Sequence, residues 1–160
     1  MGLDLIAEFE GLLDALAAAG AGYAVCGGLA VNIHGHVRAT RDIDLLILKE
    51  DLTRVLAAVR PLGFTLEAGP IPFGVGTANA RELHRISKIH EGALLTLDLL
   101  LVTPVFEQVW GGRQRSTWHQ RDIWVVSLGG LAVMKRLAGR TQDLADLENL
   151  GVETESGDEP

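Results

Sequence analysis

The stretch from Cys26 to Ile47, CGGLAVNIHGHVRATRDIDLLI, constrains the fold more than any other part of the chain. Tyr23-Ala-Val-Cys26 is a short apolar run closed by Gly27-Gly28, the pattern of a buried strand feeding a tight turn. LAVNIHGH carries on as a short helix. Asp42-Ile-Asp-Leu-Leu-Ile-Leu48 then reads as a sheet strand, rich in branched apolar residues and headed by two carboxylates spaced i, i+2.

The flanking segments supply layers for such a unit. Leu3, Ile6, Phe9, Leu12, Leu13 and Leu16 recur at helical spacing until Gly20 and Gly22, which predicts an amphipathic helix over residues 3–19. Asp51 begins another, DLTRVLAAVR, halted near Pro61 and Gly63, so the order to this point is α-β-α-β-α. GPIPFGVGTANA, from Gly69 to Ala80, has no period and reads as a loop bordering a cleft. ARELHRISKI and LLTLDLLLV flank His90-Glu91-Gly92-Ala93 as a hairpin, which puts Asp98 in mid-strand. PVFEQVW reads as a short helix with Pro104 in its first turn, and GGRQRSTWHQRD as an exposed connection. Ile123-Trp-Val-Val126 is a last strand; Ser127 caps LGGLAVMKRLA, and TQDLADLENL is a final helix after Gly139.

At 160 residues the chain has the size of one ordinary domain, read as residues 1–150, with 151–160 as an acidic, disordered tail. The net charge of −7 includes four acids and no base in that tail, which leaves −3 on the rest and excludes duplex binding through bulk charge. Arg38, Arg41, Arg81, Arg85, Lys88, Lys135, Arg136 and Arg140 remain available to line a cleft. The single cysteine, Cys26, admits no internal disulfide, and no apolar run reaches the roughly 20 residues of a membrane span. With no signal-peptide pattern at the N-terminus, the expectation is a soluble, cytoplasmic protein.

The chemistry lies in the carboxylates. Side chains alternate along a strand, so Asp42 and Asp44 project from one face and repel unless a cation lies between them. Hard oxygen ligands of this kind suit Mg²⁺ or Mn²⁺. Asp98 stands among Leu97, Leu99 and Leu100, where an unpaired charge is costly. If its strand neighbours the first, three carboxylates converge, as a two-metal site for phosphoryl or nucleotidyl displacement requires. Gly27-Gly28, lacking Cβ atoms, lets backbone N–H groups approach a polyphosphate.

GGLAVNIHGHVRATRDIDLLI closely resembles the signature of the nucleotidyltransferase superfamily related to DNA polymerase beta, nearest to small bacterial AbiEii-type proteins of toxin–antitoxin and abortive-infection systems. LAVMKRLAGRTQDLADLENL is similar to the pattern that follows the core in that group, and together the two cover about a quarter of the chain. The resemblance implies an α/β (α+β) fold: a mixed sheet of four to five strands with helices mainly on one side. It implies Mg²⁺-dependent transfer of a nucleoside monophosphate from an NTP to an acceptor hydroxyl. It places Asp42, Asp44 and Asp98 as metal-binding and catalytic carboxylates, and Gly27 and Gly28 at the phosphates. The commoner superfamily form is Gly-Ser; here Gly28 stands in the serine's place, so backbone N–H groups act alone.

Arg38 and Arg41 either meet triphosphate oxygens or pair with nearby acids. Lys135 either clamps phosphate or snorkels, with Arg140 pairing to Asp143 or Asp146; cofactor binding is the reading taken for Lys135. His34 and His36, at i and i+2, fall on different helix faces, one structural and one exposed. The acceptor is open between tRNA, protein and small molecule, the last including an antibiotic. A chain of this length implies a dimer, a partner protein or a small acceptor. A non-catalytic, antitoxin-like nucleotide-binding module of the same fold is the alternative from another class.

Overall fold

The computed structural model describes residues 4–152. Leu3 of the expected first helix, and the acidic tail from 153 onward, lie outside the described residues.

Helix α1 (Leu5–Ala18) starts at Asp4, whose carboxylate accepts from the N–H groups of Ile6 and Ala7, and it buries Phe9, Leu12, Leu13 and Leu16. Strand β1 (Ala24–Cys26) is wholly buried, and helix α2 (Gly27–Ile33) starts directly at the glycine pair. Strand β2 (Asp42–Ile47) is followed by a 3₁₀ turn and helix α3 (Leu52–Val59). Strands β3 (Leu66–Phe73), β4 (Arg81–His90) and β5 (Ala93–Leu101) form a meander, with β4 and β5 joined by Glu91-Gly92, both at positive φ as a tight hairpin turn requires. A 3₁₀ turn holding Pro104 leads into helix α4 (Glu107–Gly111); strands β6 (Gln114–Trp118) and β7 (Arg121–Val125) and helices α5 (Leu128–Ala138) and α6 (Thr141–Asn149) complete the chain.

All seven strands form one mixed sheet in the order β3-β4-β5-β2-β1-β7-β6. β2 pairs parallel with β5 and antiparallel with β1, which in turn pairs parallel with β7. The central strands carry the core, in which Val25, Ile43, Leu45, Leu97, Leu99 and Val125 are inaccessible to solvent.

The expectation of four to five strands is thus corrected to seven, and both additions are edge strands. β3 occupies part of the segment read as a loop. It is almost entirely exposed, and its register shifts between Ala68 and Ile71, around Gly69-Pro70, so it shows no alternation of polar and apolar residues. Proline is tolerated there because an edge strand has one unpaired side. β6 lies in the segment read as an exposed connection. Its hairpin to β7 turns on His119-Gln120, which take the positive φ normally signalled by Gly or Asn.

Candidate active site

The parallel register of β2 and β5 sets Asp44 directly beside Asp98, and Asp42 beside Thr96. Alternation along each strand therefore turns all three carboxylates to one face of the sheet. They share a cleft of about 280 Å³ with Gly27 and Gly28.

The register of β1 with β2 explains the glycines. Cys26 lies opposite Asp44, so the chain leaves β1 against the Asp44 side chain. A Cβ on Gly27 would lie 2.1 Å from Asp44 Oδ2, and Gly27 has a φ of +62°. A Cβ on Gly28 would lie 2.7 Å from Thr40 Oγ1. In this chain a side chain at position 28 would therefore collide with Thr40.

Asp44 is pushed up to about 7, first by burial and then by the Asp98 and Asp42 charges, with Lys135 and Arg140 pulling the other way. Asp98 is buried and held by Arg85, its register partner in β4, whose Nε and Nη2 donate to the two carboxylate oxygens at 2.8 and 3.0 Å. Among the described residues no three acidic, histidine or cysteine side chains already stand at metal-ligating separations. The donors nevertheless suit a hard divalent cation: three carboxylates on one face, one of them held against its neighbours' charge. Asp42 and Asp44 could hold such an ion, while both oxygens of Asp98 accept from Arg85. In the sequence Arg85 is one of several basic groups; its register with Asp98 across β4 and β5 is what gives it a specific place.

The remaining basic residues are fixed by a network at the α5–α6 junction. Arg38 forms a two-point pair with Asp146, through Nε at 2.8 Å and Nη2 at 2.9 Å. Lys135, 5 % exposed, reaches Asp143 at 3.1 Å and Asp146 at 2.9 Å. Arg140 donates to Asp143, closing the first turn of α6. Burial raises both aspartates, but the hydrogen bonds from Arg140 and Lys135 to Asp143, and from Arg38, Lys135 and Gln142 to Asp146, hold each below the usual carboxylate range. Arg38, Lys135 and Arg140 all line the cleft, each already paired with a carboxylate. Arg41 is exposed and does not line it. The Nε2–H of His34 donates to the Val126 carbonyl at 2.8 Å, a structural tie, whereas His36 is half-buried rather than exposed. Replacing Lys135 by Met removes one charged donor from each of two buried carboxylates but leaves Arg140 on Asp143 and Arg38 and Gln142 on Asp146; urea unfolding at pH 7 is expected to show a loss of about 2 kcal/mol.

A second cavity of about 230 Å³ adjoins the first. The two share Asp44, Asp98, Arg85 and Arg140, and the second adds Phe73, Arg81, Leu83 and Phe106.

No protein-family model matches the chain, and no curated protein sequence matches it. Solved structures do. A lincosamide antibiotic adenylyltransferase, LnuA, with lincomycin bound superposes with a TM-score of 0.60 at 18 % identity, over 90 % of this chain and 94 % of that one. A Thermotoga maritima protein assigned to the nucleotidyltransferases gives 0.63 at 15 %, over 90 % of each chain. ANT(2")-Ia in complex with adenylyl-2"-tobramycin gives 0.65 at 15 %, over 91 % of this chain and 87 % of that one. The chain has the nucleotidyltransferase fold.

Proposed function

We propose that the protein is a divalent-metal-dependent nucleotidyltransferase that moves a nucleoside monophosphate from an NTP to a hydroxyl of a small acceptor. The observation that carries this reading is the register of Asp44 beside Asp98, on the sheet face that also presents Asp42 to the Gly27-Gly28 turn.

Asp42 and Asp44 would hold Mg²⁺, with Asp98 as third ligand. The bound ion supplies charge neutralisation for the triphosphate and the departing pyrophosphate. The chain's own part is positional. The first turn of α2 has N–H groups without intrahelical acceptors and begins at Gly27-Gly28 on the cleft wall, where the missing Cβ atoms let Asp44 and Thr40 pack against the chain. Arg140, the most exposed of the paired cations and a lining residue of the cleft, would meet the triphosphate while still paired with Asp143. Arg38 is held rigid by Asp146 at the same wall. Asp98 would receive the proton of the acceptor hydroxyl.

The test is incubation with labelled NTPs, Mg²⁺ and a panel of hydroxyl acceptors, with pyrophosphate release as a second readout. Transfer is expected to require the metal and to vanish in the Asp42→Asn, Asp44→Asn double variant; metal-dependent transfer that survives both changes overturns the assignment. Mg²⁺ with its preferred NTP at a hundred times Kd is expected to add about 2.7 kcal/mol, a rise in Tm of roughly 5–10 °C by differential scanning fluorimetry.

A further inference from the structure

Resting on the nucleotidyl-transfer reading, we propose that the second cavity is the acceptor pocket and selects a small hydroxylated anion with a flat apolar body, bound through Arg81, in preference to a polycation. Arg81 opens β4 opposite Phe73 and sits over that ring, 5.4 Å from guanidinium carbon to centroid. Its nitrogens donate to the carbonyls of Asn79 and Leu137 at 3.1 and 3.4 Å, and no carboxylate among the described residues pairs with it. The other arginines of the two cavities differ in this respect: Arg85 has Asp98, Arg140 has Asp143 and Arg38 has Asp146.

A guanidinium stacked on an aromatic ring, with only carbonyls for partners, has its charge unbalanced, and a carboxylate is the group that matches its fork. Glu82 is the acid the pocket has apart from Asp44 and Asp98, and His84 lies 3.1 Å from it. A polycation would therefore face Arg81, Arg85 and Arg140 with little to receive it. Between Arg81 and the carboxylates the walls are Phe73, Leu83, Phe106 and Met134, which favour a flat apolar body. The volume, about 230 Å³, is below the roughly 300–1,000 Å³ of drug-sized sites, so the acceptor is small.

With its anionic end at Arg81, the acceptor directs its hydroxyl toward Asp98 and the first cavity. The hydroxyl oxygen bonds to the α-phosphorus of the NTP, the bond from that phosphorus to the bridging oxygen breaks, pyrophosphate leaves with the electron pair, and the hydroxyl proton passes to the Asp98 carboxylate.

The experiment titrates 4-hydroxyphenylacetate, its neutral methyl ester and tobramycin into the protein by calorimetry, with Mg²⁺ and a non-hydrolysable ATP analogue present, for the native chain and Arg81→Gln. The acid is expected to bind about tenfold more tightly than the ester, and tobramycin more weakly than the acid. In Arg81→Gln the acid-to-ester ratio is expected to fall to about one, while the thermal shift given by Mg²⁺ and the analogue is retained. Tobramycin binding as tightly as the acid, an unchanged ratio in Arg81→Gln, or no binding of any probe beside an intact nucleotide shift overturns the acceptor assignment and leaves nucleotidyl transfer standing. Absence of the nucleotide shift in the native chain overturns both.

Discussion

Asp44→Asn is expected to reduce nucleotidyl transfer by about a thousandfold and, at the same time, to raise the melting temperature of the metal-free protein. The two effects have one cause. Burial and the charges of Asp98 and Asp42 push Asp44 up to about 7, against 3.8 for a free carboxyl. The native state therefore binds the Asp44 proton more tightly than the unfolded chain does. With more protons on the native side, stability falls as pH rises from about 4 to about 7 and is level above that. Asparagine keeps the shape and removes the charge. Above pH 7 the gain, discounted for the partial exposure of Asp44, is about 2 kcal/mol, or roughly 4–8 °C in Tm, and it shrinks toward pH 4. Mg²⁺ binds the ionised carboxylate, so its stabilisation of the native chain grows between pH 6 and pH 8 and is largely lost in the variant. Melting curves at pH 5, 6, 7 and 8, with and without 10 mM EDTA, check the signs. A variant that melts below the native chain in EDTA at pH 8 would show that Asp44 is not held against repulsion.

Gly27→Ala is expected to be the most destabilising single-methyl change in the chain. A φ of +62° costs an alanine about 1–2 kcal/mol. The added carbon would also lie 2.1 Å from Asp44 Oδ2 and 2.7 Å from Asp44 Cβ. The oxygen could rotate away, but the Cβ is fixed to the β2 backbone, so the main chain has to give. The total expected is about 3–5 kcal/mol, a large part of the stability of a domain this size. Gly76→Ala is the control: φ is +78°, close to that of Gly27, but nothing lies within 4 Å, so it carries the strain without the collision. A Tm for Gly27→Ala equal to that of Gly76→Ala would refute the steric account. Loss of soluble protein for Gly27→Ala alone supports it.

The site was legible wherever residue type and strand period coincide. Asp-x-Asp at the head of an apolar strand and Asp98 inside another were visible as candidates, but it is the β2–β5 register, with Asp44 beside Asp98, that puts them on one face; a slip of one residue would have separated them. Gly27-Gly28 marked the junction, although the reason for a second glycine, Thr40, became visible only in three dimensions. The partners of the basic residues were not legible. Nothing in the local sequence joins Arg38 to Asp146 across more than a hundred residues. Lys135 and Arg140 offered the same reach to phosphate or to acid, and the fold supplies the acids. The missed strands are the two whose side chains are least buried, where no apolar period was required to hold them.

The parallel pairings at the centre of the sheet have a kinetic consequence. Val25 meets Val125, and Asp44 meets Asp98, across long stretches of chain, so the carboxylates assemble only after large loops have closed. Their mutual repulsion is therefore imposed late, when most of the apolar surface is already buried. A ligand that relieves it acts on a site that is incomplete until then, so it lengthens the lifetime of the folded molecule far more than it hastens its formation.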